Sequence, residues 1–360
     1  MLRIGVNALY LIPGGVGGTE IYLRSLLNAF AAIESGDRFL IFTNRETGPD
    51  IAPPTPDFTV VEQPVRATFR PGRILWEQCR LPFAAEVDVM FNPGFTAPLW
   101  AGAPNVTVFH DLQHKRHPEH FRRFDLPFWN ALLYGAAVRS KELIAVSEAT
   151  RADLERFYGV SNVTVAEHGV AEEFAAIAAS RAPERFLLCA STLHPHKNIE
   201  RLVRVFARFH AARPEFRLVL AGMKGFQTKQ VEAAIAEAKL EDAVDVTGWI
   251  PREQLLDLYR RAAAFVYPST FEGFGMPVLE AMAAGLPTAC SDIEPLRGIT
   301  AGAAILFDPA NDEEMFAAMH RIVDDPAPLT QKGPIRASHF TWQRAAQTTL
   351  GVIRRAAQRK

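Results

Sequence analysis

Short apolar runs alternate with longer stretches of helical period along almost the whole chain. The runs Leu2–Ala8, Arg38–Thr43, Phe58–Glu62, Val87–Asn92, Asn105–His110, Glu142–Ser147 and Val163–Glu167 are near-continuously apolar and β-branched. Strands buried on both faces of a parallel sheet read this way. Between them, Thr19–Ile33, Arg73–Ala85, Phe124–Val138 and Glu148–Tyr158 carry helical spacing, the last behind Ser147, a good helix N-cap. The second half repeats the theme. Phe186–Ala190, Arg217–Ala221, Val244–Thr247, Ala264–Pro268, Pro287–Cys290 and Ala304–Phe307 predict strands. Asn198–Ala212, Lys229–Lys239, Arg252–Ala263, Pro277–Ala284 and Asp312–Asp324 predict helices.

Two such alternations predict two doubly wound α/β domains with parallel sheets, facing a common cleft. The break is expected near Ala171–Glu184, where strand signals stop and Pro183 punctuates, giving domains at 1–172 and 173–338. A mostly helical tail, 339–360, contains Trp342 and ends on basic residues that suit the negative end of a helix dipole.

Composition narrows the class. A chain of 360 residues suits two ordinary domains. Thirty-nine Lys+Arg against 40 Asp+Glu leave a formal charge of −1, without the cationic excess of a dedicated nucleic-acid binder. Cys79, Cys189 and Cys290 are scattered, with no spacing for a disulfide framework or a zinc site. The first residues read as a strand and not as a signal peptide, and no apolar stretch approaches the ~20 residues of a membrane span. A cytoplasmic protein is expected.

The richest chemistry lies in Pro268–Glu280. An apolar strand ends at Pro268, a glycine-containing loop follows, and Pro277 sits where a first helical residue would be. Main-chain N–H groups of Phe274, Gly275 and Met276 at that helix start, with the positive end of the dipole, form an anion site suited to phosphate. Gly273 and Gly275 would let backbone approach a ligand closely. Glu280, about one turn in, is placed to accept from the two hydroxyls of a ribose, and Glu272 lies on the sugar side of the same phosphate. The plain alternative is a capped helix flanked by two solvated carboxylates.

The segment Phe271-Glu272-Gly273-Phe274-Gly275-Met276-Pro277-Val278-Leu279-Glu280 resembles the Glu-x7-Glu motif of retaining glycosyltransferases of family four, which have the GT-B fold. The resemblance extends over nearly the whole chain. It includes Gly14-Gly15-Val16-Gly17-Gly18, Phe109-His110-Asp111-Leu112, Val146-Ser147-Glu148, His168-Gly169-Val170, Thr192-Leu193-His194-Pro195-His196-Lys197-Asn198, Gly248-Trp249-Ile250 and Leu306-Phe307-Asp308-Pro309. The His-Asp-Leu and Thr-Leu-x-Pro-x-Lys-Asn variants resemble the mannosyltransferase-like branch of surface-polysaccharide synthesis.

That resemblance implies an acceptor-binding first domain, a donor-binding second domain, and a tail helix crossing back onto the first. It implies transfer of a hexose, mannose from GDP-mannose first, to a saccharide or lipid-linked acceptor; UDP- and dTDP-sugars are the alternatives. Lys197, after the first strand of the second domain, is by resemblance the phosphate-binding lysine, its ammonium neutralising the departing diphosphate. His196 and Thr192 stand where other branches carry arginine. His110, with Asp111 to orient it, closes a strand at the carboxyl end, where open α/β sheets place ligands; the resemblance sets it beside the transferred sugar, with Glu272. Gly17 and Gly18 fail the dinucleotide fingerprint and read as a lid toward the donor phosphates. Trp249 and Ile250 lie near the nucleobase in relatives, although a core tryptophan fits the sequence equally. Ser147 and Thr150 read as helix-capping groups.

No Asp-x-Asp triplet occurs, which fits transfer without a metal or other cofactor. The run His114–Trp129 mixes cations with aromatics; a helix with core aromatics and a solvated basic face is favoured slightly over peripheral membrane contact. Rival readings are a non-catalytic sugar-nucleotide-binding subunit, a nicotinamide-dependent oxidoreductase, which the failed fingerprint disfavours, and a GT-B epimerase.

Overall fold

The computed structural model describes residues 1–15, 17–84, 86–100 and 102–358. Val16 of the glycine-rich segment, Ala85 at the end of one expected helix, and Arg359 and Lys360 of the basic tail lie outside the described residues. The chain divides into two compact units. Unit 1 comprises Met1–Gly169 with Thr341–Lys360, and unit 2 comprises Val170–Phe340.

In unit 1 the described strands are β1 (Arg3–Asn7), β2 (Arg38–Thr43), β3 (Phe58–Glu62), β4 (Val89–Asn92), β5 (Asn105–Phe109), β6 (Glu142–Ala145) and β7 (Val163–Val165). All pairings are parallel, in the order β3-β2-β1-β4-β5-β6-β7. Every residue of β4, β5 and β6 is buried, which is why these segments lack the alternation of a one-sided sheet. The helix Gly18–Ile33 buries Tyr22, Leu23, Leu26, Leu27 and Phe30, a stripe of helical period. The terminal helix Trp342–Gln358 packs beside it, and Arg354 anchors the far end through a 2.8 Å bond to Asp37 Oδ2.

Unit 2 holds β8 (Glu184–Ala190), β9 (Arg217–Ala221), β10 (Val244–Gly248), β11 (Ala262–Tyr267), β12 (Thr288–Ser291) and β13 (Ile305–Phe307), in the order β10-β9-β8-β11-β12-β13. These pairings are also parallel. Each sheet therefore has one point where the strand order reverses, between β1 and β4 in unit 1 and between β8 and β11 in unit 2. Loops leaving the carboxyl ends of such neighbours diverge and leave a crevice.

Two expectations are corrected. The single helix expected over Arg73–Ala85 is two, Arg70–Cys79 and Leu81–Ala84. Pro82 lacks the N–H that would bond back to Gln78, so the first helix does not continue through it. The helix begun at Arg252 ends at Arg261, and Ala262 and Ala263 already belong to β11, because short alanine runs carry no period.

Candidate active site

In unit 2 the loops after β8 and β11 meet at one carbonyl. His196 O accepts from the Thr270 main-chain N–H (2.7 Å) and from the Ser269 hydroxyl (3.1 Å). This stitch fixes the next residue. Lys197 ends a short turn, Pro195–Lys197, and Asn198 follows at φ 58°, a left-handed conformation that asparagine tolerates well. Lys197 Nζ donates to Glu272 Oε1 at 2.6 Å and to the Tyr267 hydroxyl at 2.9 Å. The two charged side chains are only 15% and 10% exposed, so the pair stands largely out of water. A lysine and a glutamate that are 75 positions apart in sequence thus meet at the strand-order reversal of the sheet.

Glu272 leads into the helix Met276–Ala283, capped by Gly275. The Val278 and Leu279 N–H groups donate to Gly275 O at 3.1 and 3.2 Å, and the helix dipole turns its positive end to the loop. Glycine at 275 has a reason other than ligand approach: φ is 114°, and a Cβ would lie 2.3 Å from Leu296 Cδ2. Phe274 is buried against Phe340, so its ring is core. Pro277 sits in the first helical turn, where a missing N–H costs nothing.

Glu280 is buried, and its Oε2 accepts from the Tyr259 hydroxyl at 3.3 Å. Burial pushes its carboxyl up to about 7, against the opposing pull of Arg252 and the tyrosine bond. Trp249 is 66% exposed, which overturns the core alternative for this ring. Ile250 is half-buried after it, and Thr192 half-buried after β8. The loops carrying them are tied by Gly222 N–H to Gly248 O and Leu193 N–H to Met223 O.

In unit 1, Gly17 (φ 56°) caps the helix that begins at Gly18, and Glu20 closes the loop by accepting from Gly14 N–H at 2.8 Å. His110 lies one residue beyond β5. Its Nε2 is 2.8 Å from Pro93 O. A carbonyl only accepts, so Nε2 carries the proton; burial pulls the imidazole down to about 4, so at neutral pH Nδ1 is left as an acceptor. Pro93 belongs to the turn after β4, where Phe95 holds φ 70°, a costly conformation for an aromatic residue. The turn sets Phe95 at 5.1 Å from the His110 ring while Tyr22 meets it edge-on at 4.8 Å. His168 stands 5.7 Å away, stacked on Trp342 of the terminal helix. Asp111 Oδ1 accepts from Gln113 N–H, and Thr150 Oγ1 donates to His110 O at 3.3 Å. Ser147 Oγ accepts from Thr150 N–H as the helix N-cap.

Sequence reasoning passed over Tyr267, Tyr259, Tyr22 and the Pro93 carbonyl. Tyr267 is the last residue of β11, and the position of a strand's final side chain beneath the following loop was the available signal. A main-chain carbonyl leaves none.

Two open parallel sheets, each with polar side chains near its reversal point, define an α/β protein of two Rossmann-like units. The model of glycosyltransferase family 4 matches residues 16–174, and that of the glycosyl transferases group 1 matches 170–336. The chain belongs to this glycosyltransferase family and has its two-domain GT-B fold. It is 26% identical over 266 residues to the O-antigen chain mannosyltransferase B of Escherichia coli, covering 69% of this chain and 70% of that one. It is 31% identical over 228 residues to the MMP alpha-(1->4)-mannosyltransferase of Mycolicibacterium hassiacum, covering 61% of this chain but only 55% of the relative. Among solved structures, sucrose-phosphate synthase from Thermosynechococcus elongatus superposes with a TM-score of 0.76 at 21% identity, covering 99% of both chains.

Proposed function

We propose that this chain is a retaining hexosyltransferase that moves mannose from GDP-mannose to a saccharide or lipid-linked acceptor in surface-polysaccharide synthesis. The observation that carries the reading is the Lys197–Glu272 pair at the head of the helix Met276–Ala283. Unit 2 binds the donor. Lys197 Nζ and the helix N-terminus, with the Gly273–Pro277 main chain, take the diphosphate without a metal; Glu280 takes the ribose hydroxyls, and Trp249 with Ile250 takes the base. Once the ammonium turns to phosphate, the Glu272 carboxylate is available to hydroxyls of the sugar. Unit 1 serves the acceptor, with Gly17 and Gly18 as a lid segment and His110 Nδ1 accepting from a sugar hydroxyl. The C1–O bond to phosphate breaks and the C1–O bond to the acceptor forms on the same face. The acceptor proton passes to the departing phosphate oxygen, so configuration is kept and no protein base is required.

Mannose is favoured by the mannosyltransferases among the relatives. Peripheral contact with the cytoplasmic membrane face belongs to the same reading, since no described helix is long and apolar enough to cross a bilayer. The test is a thermal-shift panel of GDP-, UDP-, ADP- and dTDP-sugars followed by transfer assays with and without EDTA. GDP-mannose is expected to raise the melting temperature by mass action, with turnover unchanged by chelation. A panel in which no nucleotide sugar shifts the transition overturns the reading.

A further inference from the structure

We propose that Arg73 forms the floor of an oxyanion site at the strand-order reversal of unit 1, and that the acceptor fills it with a phosphoryl group. This rests on the reading that unit 1 serves the acceptor, and it names the chemistry that acceptor carries. Arg73 lies in the helix Arg70–Cys79 and is 7% exposed. Its Nε is sealed from solvent and has no hydrogen-bond partner. Among the described residues its guanidinium makes no ion pair, although Glu77 stands one turn further along the same face. Glu77 is already engaged. Its Oε2 accepts from Asn7 Nδ2 at 3.2 Å and from Thr96 Oγ1 at 2.8 Å, and its Oε1 from Gln78 Nε2 at 3.1 Å. Asn7 ends β1, and its amide also donates to Asn92, the last residue of β4, so this network sits at the reversal point. Thr96 follows in the turn whose Pro93 carbonyl holds His110.

A guanidinium drawn out of water with no bonded anion keeps its desolvation cost. Burial pulls Arg73 below the usual arginine range, against the attraction of Glu77. A fold keeps such an inconsistency where binding compensates it. The planar fork of N–H donors matches the oxygens of a phosphoryl group bidentately. Arg70, one turn earlier on the same face, is exposed; its guanidinium lies over the Trp129 ring at 5.9 Å and has no ion pair among the described residues. Its like charge also reaches Arg73. Two cations without carboxylate partners suit a doubly charged phosphoryl group better than a single carboxylate. Tyr10, close enough to feel the Arg73 charge, packs on Gly94, where a Cβ would lie 2.3 Å from its ring. With that wall closely packed and Arg73 so little exposed, the opening suits one terminal group and not a sugar ring.

The experiment is calorimetric titration of the full chain, saturated with GDP to occupy unit 2. The probes are farnesyl phosphate, mannose 1-phosphate and inorganic phosphate, with farnesol and methyl mannoside as uncharged counterparts. A phosphate probe is expected to bind at least ~25-fold more tightly than its counterpart. Which probe binds best tells whether the group comes from a lipid, a sugar or free phosphate. Arg73→Met should weaken that probe at least ~25-fold, the loss when one partner of a buried charge pair is truncated. Arg73→Lys, which keeps the charge but not the fork, should weaken it about tenfold. Arg73→Met should melt no lower than the native chain, since it strands no hydrogen bond; where it does melt lower, Arg73→Lys carries the test. A merely structural arginine would lower melting and leave the titrations unchanged. The proposal is overturned by equal binding with and without the phosphoryl group, or by no binding of any probe. It is also overturned by binding that Lys197→Met abolishes and Arg73→Met leaves intact. Nucleotide-sugar binding is read separately. A chain that binds nucleotide sugar but none of these phosphates loses only this inference. One that binds phosphate through Arg73 but no nucleotide sugar keeps the site and loses the donor reading.

Discussion

Replacing Lys197 by Met removes the ammonium and keeps most of the apolar stem. Glu272 is then left 10% exposed, facing the Tyr267 hydroxyl without its cation. Breaking a fully buried pair costs about 3–5 kcal/mol, because the stranded charge keeps its desolvation penalty. The residual exposure of both side chains discounts this to about 2–4 kcal/mol. Lys197→Met should therefore lower unfolding free energy by that amount in urea titrations. Adding Glu272→Gln should recover most of the loss, since a neutral amide in the same place needs no counter-charge.

Activity should separate from stability. On the proposed reading the ammonium meets charge that grows on the departing diphosphate, and removing one such donor costs about 100- to 1,000-fold in turnover. Lys197→Met/Glu272→Gln should thus be nearly as stable as the native chain yet still slow. Native turnover in the double variant would make the pair a purely structural feature. A stability loss below about 0.5 kcal/mol in Lys197→Met would refute the burial argument itself.

Three further outcomes are expected. Glu280 has its carboxyl raised to about 7 by burial, so holding it ionised costs about 3 kcal/mol; stability should fall as pH rises from about 4.5 to 7, and Glu280→Gln should remove that slope in denaturation curves taken across the window. His114, pulled down to about 4 by burial, takes up a proton on unfolding between about 4 and 6.5; stability is lost on acidification through that range, and His114→Gln should flatten the loss by about 3 kcal/mol at pH 4 while keeping a partner for Tyr158. A Cβ at Gly169 would lie 2.1 Å from Trp342 N, so Gly169→Ala should destabilise by at least about 1–3 kcal/mol and displace the Trp342 ring from His168, read as altered tryptophan fluorescence.

The strands were the legible part of the fold because burial on both faces writes itself as continuous apolar runs. Arg38–Thr43, Phe58–Glu62 and Arg217–Ala221 match their sequence bounds residue for residue. Boundaries blurred where backbone chemistry outweighed pattern, at Pro82, or where the pattern was silent, at Ala262–Ala263. At the site, Glu272 and Glu280 could be named because they flank a glycine-containing loop and an expected helix start, and Lys197 because its segment resembles a family motif. Their mutual pairing could not. The 2.6 Å contact of Lys197 with Glu272 depends on β8 and β11 being sheet neighbours, a fact of strand order that periodicity does not encode. The tautomer of His110 depends on the carbonyl of Pro93, and side-chain identity says nothing about a carbonyl.

The Lys197–Glu272 pair also bears on how binding energy is used. Much of the cost of drawing the ammonium out of water is met in folding, by the carboxylate beside it. On the proposed reading a diphosphate then exchanges one anion for another at Nζ, so ground-state affinity gains little from the lysine. As the glycosidic bond opens, negative charge accumulates on the leaving oxygen, and the ammonium and the helix start at Met276 both bind that state more strongly than the donor. On the same reading the carboxylate released from the lysine stands near a sugar gaining positive character. A pair that is neutral overall in the resting fold is thereby divided between the two charges that reaction creates, which favours turnover over tight binding of the donor.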